Sequence, residues 1–323
     1  MTNNFAYMKA GSLAEAIKAL STKGAKIYAG GTDLLGCARD EIVPVEKVVS
    51  ISGLKELKGV SARPDGGVRI GALATLAEIA SNPSIAEKYT VLAQAAAAVG
   101  SPQIREQGTI GGNLCQRPRC WYFRSDVTCL KKGGSTCYAM KGENQYHAVL
   151  GGGPCFFVHP SDVGSALVAL QAQLMISGAA GSKAVSVENF FVSPKKVVDK
   201  ENILLSNEVV TDILLPSVTG KVKSSYRKVR ARGSWDFALT SVAAFLRFEN
   251  DTVQSARIIL GGVAPYPWRV SAAEKLLAGK RLDNTLIASV ADAAVAGAMP
   301  LRDNAYKVAM IKGAVEESLT AFL

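Results

Sequence analysis

The apolar positions of this chain follow two periods, and the places where the period changes mark its elements. Leu13, Ala16, Ile17, Ala19 and Leu20 recur at helical spacing behind Ser12, with Glu15 at the third helical position, which predicts a capped amphipathic helix. Lys26–Ala29, Lys47–Ile51 and Val68–Ala72 are short, largely apolar runs bounded by turn residues such as Pro64-Asp65-Gly66-Gly67, and read as strands. Thr75–Ala80 and Ser84–Val99 read as helices; the second carries Ala95–Ala98, small side chains suited to close packing on a sheet, and stops at Gly100. Further on, Asp162–Leu170 has the helical period, Ala172–Ile176 has strand character, and Val209–Leu215 is a strand that Pro216 ends.

The pattern changes after residue 216. Ser217–Lys223 is polar and basic, as a linker would be, and Tyr226–Val229, Ser241–Phe248 and Thr252–Val263 predict an antiparallel sheet with Asn250-Asp251 at one turn. Helical periods follow at Ser271–Leu277, Asp283–Ala298 and Asn304–Phe322. Strands followed by helices indicate an α+β unit of roughly a hundred residues. The expected division is therefore 1–216 and 217–323, with no internal repeat.

One stretch, from about 115 to 158, obeys neither period. Five of the six cysteines fall within the 41 residues from Cys115 to Cys155, and only Cys37 lies outside. A signal-less chain of this size is not expected to use them as a disulfide framework, because the cytosol keeps thiols reduced. The chain has only two histidines, His147 and His159, which argues against a His-ligated catalytic zinc and against Ser–His hydrolysis. Two glycine pairs precede the cysteine-rich stretch. Gly30-Gly31-Thr32 follows a strand and offers backbone N–H groups and a hydroxyl to a diphosphate, or else makes a plain tight turn. Thr109-Ile110-Gly111-Gly112-Asn113 is a second such place. Neither is the GxGxxG fingerprint of a Rossmann fold.

The net charge of +10 raises the question of nucleic acid, but the basic residues are spread along the chain and are not interleaved with aromatics as a single-strand groove requires. No apolar run is long enough for a membrane-spanning helix. Met1–Lys9 lacks the basic and apolar parts of a signal peptide, so a cytoplasmic location is expected, or a periplasmic one by export with a signal-bearing partner.

Tyr28-Ala29-Gly30-Gly31-Thr32-Asp33-Leu34-Leu35, Thr109-Ile110-Gly111-Gly112-Asn113 and Ser161-Asp162 together resemble the FAD-binding subunit of the xanthine dehydrogenase, or molybdenum hydroxylase, family, and the order and spacing agree over essentially the whole chain. The resemblance implies a two-lobed FAD-binding domain of the vanillyl-alcohol-oxidase (PCMH) type. A C-terminal α/β domain, with an antiparallel sheet and helices like that of CO dehydrogenase flavoproteins, would follow it. It implies that Ile27 to Leu35 and Thr109, Gly111, Gly112 and Asn113 hold the FAD diphosphate through backbone N–H groups. Asp162 would bond an FAD hydroxyl, and Lys228, in Tyr226-Arg227-Lys228-Val229-Arg230, would lie near the flavin ring. A cation there would favour the reduced, anionic flavin. Without that resemblance, Asp162 reads as the N-cap of the following helix and Lys228 as an exposed charge on a basic strand.

Most members of the family pass directly from the Gly-Gly-Asn segment to the Ser-Asp pair, whereas here about 45 residues intervene. So long a segment without its own secondary structure needs a brace. It resembles the [4Fe-4S]-bearing loop of the branch that includes 4-hydroxybenzoyl-CoA reductase and periplasmic aldehyde oxidoreductase. That resemblance assigns Cys120, Cys129, Cys137 and Cys155 as ligands and leaves Cys115 as a packed, reduced thiol. A structural zinc is the competing reading, with His147 and His159 as reserve ligands. Zinc sites usually contain Cys-x2–4-Cys pairs, and the intervals of eight, seven and seventeen residues supply none.

The implied function is electron transfer within a molybdenum enzyme. A large partner would bind molybdopterin and oxidise an aldehyde or an aromatic or N-heterocyclic substrate, and a small partner would carry two [2Fe-2S] clusters. This chain would carry FAD, and the assembly could be a dimer of heterotrimers. The alternatives are a hydroxybenzoyl-CoA reductase type with reversed electron flow, a stand-alone flavoprotein oxidase, and a zinc-braced module without catalysis.

Overall fold

The computed structural model describes residues 4–323, so the first residues of the Met1–Lys9 segment lie outside the described part. Strands β1 (Ala6–Lys9), β2 (Ala25–Tyr28) and β3 (Lys47–Ser50) form a parallel sheet in the order β1-β3-β2. Parallel neighbours need crossover connections, and helix Leu13–Leu20 supplies one. Ser12 Oγ accepts the Glu15 N–H at 3.2 Å, and Glu15 reaches back to the Gly11 N–H at 2.6 Å. The cap predicted from Ser12 and Glu15 is thus present, with the carboxylate one residue upstream of the usual partner. Buried Ala16, Ala19 and Leu20 pack with Val49 and Ile51.

Strands β4 (Val60–Ala62), β5 (Val68–Gly71), β6 (Gln173–Gly178), β7 (Gly181–Ser186) and β8 (Val209–Leu215) make an antiparallel sheet ordered β4-β5-β8-β6-β7. The chain leaves this sheet after β5 and returns only at β6. Everything between, including the second glycine pair, the cysteine segment and helix Asp162–Ala169, is therefore carried on one side trip. The helix expected over Ser84–Val99 is two helices, Pro83–Lys88 and Thr90–Ala97, broken at Tyr89 with φ −130° and ψ 47°. Tyr89 is fully buried, and its hydroxyl donates to the Pro216 carbonyl at 2.8 Å, a tertiary anchor that outweighs helix continuity.

Strands β9 (Lys221–Val229), β10 (Thr240–Glu249), β11 (Thr252–Gly261) and β12 (Trp268–Arg269) form an antiparallel sheet ordered β12-β11-β10-β9. The expected linker Ser217–Lys223 is shorter than its composition suggests, because Lys221–Lys223 already pair with Leu246–Phe248. Ala243 and Phe245 of β10 face the core of the second sheet, while Val242, Ala244 and Leu246 face helices Ser271–Leu277, Asn284–Ala294 and Tyr306–Thr320. Burial on both faces explains the unbroken apolar run of β10. The last two helices are shorter than their apolar periods predict; Asp283 is the N-cap of the first of them and accepts the Leu286 N–H at 2.7 Å. Among the described residues, no helix is long and apolar enough to cross a membrane.

Candidate functional site

Strand β2 runs straight into Gly30-Gly31, and this junction is built by close approach. A Cβ on Gly30 would overlap the Gln107 carbonyl, so the glycine lets the first loop touch the segment that leads into Thr109. Gly31 has φ +73°, and Tyr28 and Leu35 flank it. Among the described residues, none of the N–H groups from Gly30 to Leu34 donates to another protein group.

The second glycine pair differs from the turn expected of it. Ile110–Cys115 is a short helix with Thr109 as its N-cap. Ile110 N–H and Gly111 N–H bind the Ala74 and Ala72 carbonyls, each at 2.9 Å; Gly112 N–H binds Thr109 Oγ1 at 3.1 Å, and Asn113 N–H binds the Thr109 carbonyl at 2.8 Å. Its backbone donors therefore already have partners, and the free donors belong to the first loop.

Two cavities meet at these loops. One, of about 370 Å³, is lined by Ile27, Ala29, Gly30–Leu34, Thr109, Gly111 and Gly112. The other, of about 230 Å³, is lined by Asn113, Asp162 and Lys228, with Trp235 and Phe237 at its wall. Thr32, Asp33, Thr109, Gly112 and Gln116 border both. Of the residues assigned to the cofactor from the sequence, Tyr28 and Leu35 line neither cavity. Tyr28 lies between Ile27 and Ala29 on an extended strand, so its side chain points to the opposite face.

Asp162 is the first residue of its helix, and the N-cap is Ser161, whose Oγ accepts the Gly164 N–H at 2.9 Å. The Asp162 carboxylate accepts from Tyr226 Oη at 2.5 Å and from Lys228 Nζ at 2.7 Å. Lys228 also donates to the Ala98 carbonyl at 3.0 Å, and its side chain is 4% exposed, far from the exposed strand charge that its basic neighbours suggest. Burial pushes the Asp162 carboxyl up against the opposing pull of Lys228.

Asp33 faces the cysteine segment. Oδ1 accepts from Arg119 at 2.6 Å and Arg124 at 2.9 Å, and Oδ2 accepts the Arg117 N–H at 2.7 Å. Burial alone would raise this carboxyl, but the arginines outweigh it and hold Asp33 below the usual carboxylate range.

The cysteine segment folds from short turns. Cys120, Cys129 and Cys137 each stand immediately before one, namely Trp121–Arg124, Leu130–Lys132 and Tyr138–Met140. These three and Cys155 line one small cavity of about 10 Å³ together with Phe123, Lys131 and Phe157. Backbone N–H groups lie near the sulfurs and pull their thiols down, those of Tyr122 and Phe123 at Cys120, of Ala139, Met140 and Phe156 at Cys137, and of Phe157 at Cys155. Donors so placed favour thiolate. The proximity of Cys137 and Cys155 lowers the thiol of the first and raises that of the second, while burial pushes Cys120 up to about 11. His147 Nε2 lies 3.2 Å from Cys120 Sγ. Among the described residues, no three His, Cys, Asp or Glu groups converge on a point that could hold a single ion. Cys115 is away from this cavity, beside the first loop, and burial pushes it up to about 12.

Residues 3–218 match the family model described as the FAD binding domain in molybdopterin dehydrogenase, and residues 224–321 match the CO dehydrogenase flavoprotein C-terminal domain. The chain is a molybdenum hydroxylase FAD subunit. It is 36% identical over 315 residues to the aldehyde oxidoreductase FAD-binding subunit PaoB of Escherichia coli (strain K12), covering 95% of both chains. It is 28% identical to the glyceraldehyde dehydrogenase medium chain of Sulfolobus acidocaldarius, over 89% of this chain and 85% of that one. The solved carbon monoxide dehydrogenase of Hydrogenophaga pseudoflava that lacks the Mo-pyranopterin moiety superposes with a TM-score of 0.80 at 26% identity, over 99% of this chain and 98% of that chain. This FAD subunit is thus an oxidoreductase component, and neither a stand-alone oxidase nor a cofactor-less module is favoured.

Several residues of the FAD subunit's site carry no role in the sequence reading. Arg119 borders the second cavity, and Lys131 lies inside the cysteine cavity, with side chain 1% exposed and Nζ 2.7 Å from buried Glu201. The run Gln116–Arg124 signals Arg119 by its charge beside Cys120, Lys131 lies outside that run, and the partners Asp33 and Glu201 are far away in sequence.

Proposed function

We propose that this subunit passes electrons between the iron–sulfur centres of a small [2Fe-2S] partner and an external acceptor, through FAD bound across its two cavities, while a large molybdopterin partner oxidises the substrate. The observation that carries the reading is the junction of two cavities at a loop with free N–H groups. A dinucleotide has two ends and a diphosphate between them, and this site has the corresponding parts. In this reading Gly30–Leu34 bind the diphosphate, Thr109 and Asn113 shape the wall opposite, and Lys228, steadied by Asp162 and Tyr226, sets a positive charge beside the flavin ring. FAD supplies the redox chemistry, and the protein supplies position and field.

The cysteine cavity belongs to the same proposal as the seat of a [4Fe-4S] cluster. Four thiols share one enclosed space with apolar walls and N–H groups near the sulfurs, the donor set such a cluster takes. Its present volume is about that of a single water, so the thiols must spread to admit a cluster. Lys131 would set a positive charge beside it, and neutral His147 would lie against Cys120. An aldehyde is the substrate class we put first, because two relatives carry the names of aldehyde-oxidising enzymes. Division at 1–216 and 217–323, a cytoplasmic location and a dimer of heterotrimers complete the proposal. Co-purification tests it: the expected result is molybdenum and two companion subunits with the flavin, and a lone polypeptide fully active on substrate would contradict it.

A further inference from the structure

We infer that the cluster of Asp33, Arg119 and Arg124 is the joint through which the cysteine segment completes the flavin cleft, so that FAD affinity depends on this segment. The inference rests on the FAD reading above and concerns the Asp33 side chain and the two arginines, for which that reading has no role.

Asp33 belongs to the first loop, and its own N–H is among the free ones there. Three of its carboxylate's donors come from the segment that begins at Gln116, and the fourth is a long contact at 3.9 Å from Cys37 Sγ on the helix that follows the loop. Arg119 also donates to Gln116 Oε1 at 3.1 Å and lies 5.0 Å over the Phe237 ring, so one guanidinium touches the first loop, the second loop's end and the C-terminal sheet's connecting loop. Arg124 donates to Cys37 Sγ at 2.8 Å and to the Pro118 carbonyl at 2.7 Å. Cys37 lies on the short helix Leu34–Arg39 that leaves the first loop, and it packs with Ile42, Phe123 and Cys129 in one buried apolar cluster. Phe123 and Cys129 line the cysteine cavity, and Asp33 and Arg119 line both or one of the flavin cavities. A continuous line of contacts therefore runs from the cysteines to Gly30-Gly31. Asp33 is the one charged group of the first loop, and the loop's N–H groups make no bond to the protein, so the cysteine side adds the charged anchor to a loop otherwise held by its packing on Gln107 and by the Leu35 and Cys37 N–H groups.

Arg119 and Arg124 are accordingly positioning residues. The test uses the subunit as it is purified, with FAD removed and rebound and the dissociation constant read from flavin fluorescence. Asp33→Asn, Arg119→Gln and Arg124→Gln are each expected to weaken FAD about tenfold or more, the scale of one lost charge-assisted hydrogen bond. Asp33→Asn combined with Arg124→Gln should be less than additive, because the two act on one contact. Arg119→Lys, which keeps a charge on Asp33, should restore most of the affinity, and Arg39→Gln, on the exposed side of the same short helix, should change nothing. Alkylation of Cys37, read by mass spectrometry, should quicken in Arg124→Gln and slow again when FAD is added, since coupling between two sites is reciprocal. Wild-type FAD affinity in folded Asp33→Asn and Arg124→Gln, or full additivity in the double variant, would overturn the joint. Should Arg124→Gln fail to fold, Asp33→Asn and the Arg119 pair still decide. A wild-type subunit that rebinds no FAD would instead overturn the reading of the cleft itself.

Discussion

Asp162 and Lys228 form an ion pair at 2.7 Å with side chains 5% and 4% exposed, and so join the helix after the cysteine segment to strand β9 at the wall of the second cavity. Two charges are withdrawn from water at one point, and each is satisfied by further bonds, Asp162 by Tyr226 and Lys228 by the Ala98 carbonyl. Such a pair is well suited to fixing a cation where a flavin would feel it, because neither partner is free to swing into solvent.

Removing one partner leaves the other charge buried. Lys228→Met should destabilise the subunit by about 3–5 kcal/mol. Combined with Asp162→Asn, the loss should be smaller than the sum of the two single losses. Urea unfolding of the four proteins of this cycle measures the coupling. Strict additivity would show that the pair acts as two separate groups.

The close approach at Gly30 makes a second expectation. Gly30→Ala must push the Gln107 carbonyl aside and should cost about 1–3 kcal/mol, together with FAD occupancy. Gly36→Ala is the matched control: nothing lies within 4 Å of its Cβ position, and it sits in a helix, where alanine should be neutral or stabilise by up to about 1 kcal/mol. Melting temperature and FAD per chain on both variants check this.

His159 gives a pH dependence with a definite sign. Burial, with the nearby charges of Lys131 and Arg119, pushes it down to about 3. The folded protein therefore keeps it neutral, whereas the unfolded chain protonates it near about 6.5. Below that pH the unfolded state binds the extra proton, so stability falls as pH drops from about 6.5 toward 5, at up to about 1.4 kcal/mol per pH unit. Burial also pushes His147 down, to about 4, which adds a slope of the same sign. His159→Asn, whose amide oxygen can take the Ser161 N–H that His159 Nδ1 accepts at 3.3 Å, should remove its part of the slope. Urea midpoints across that range would show it; an unchanged slope in the variant would contradict it.

Local features of the fold were readable where a residue and its partner lie within one turn. Ser12 with Glu15 and the strand that Pro216 ends stand as their patterns imply. Reading failed where distant contacts decide. Tyr89 breaks a helix because Pro216, more than a hundred residues on, accepts its hydroxyl bond. Thr109-Ile110-Gly111-Gly112 reads as a turn from its glycines, yet the Ala72 and Ala74 carbonyls hold it as a helix start. Helix Pro102–Gln107 starts at the N-terminal signal of Ser101 and Pro102 but is too short and polar to show an apolar period. In the site, the four cysteines that the family resemblance groups together do line one cavity, but the partnership of Asp33 with Arg119 and Arg124 has no counterpart in the sequence, because no local period links residues so far apart.

Iron and FAD measured together, per chain, in the wild-type subunit and in Cys129→Ser test the central claim that one chain holds a flavin and a cluster. The account predicts about one FAD and about four iron atoms in the wild type, with iron lost in the variant. Zinc in place of iron, or iron unchanged in Cys129→Ser, would contradict it.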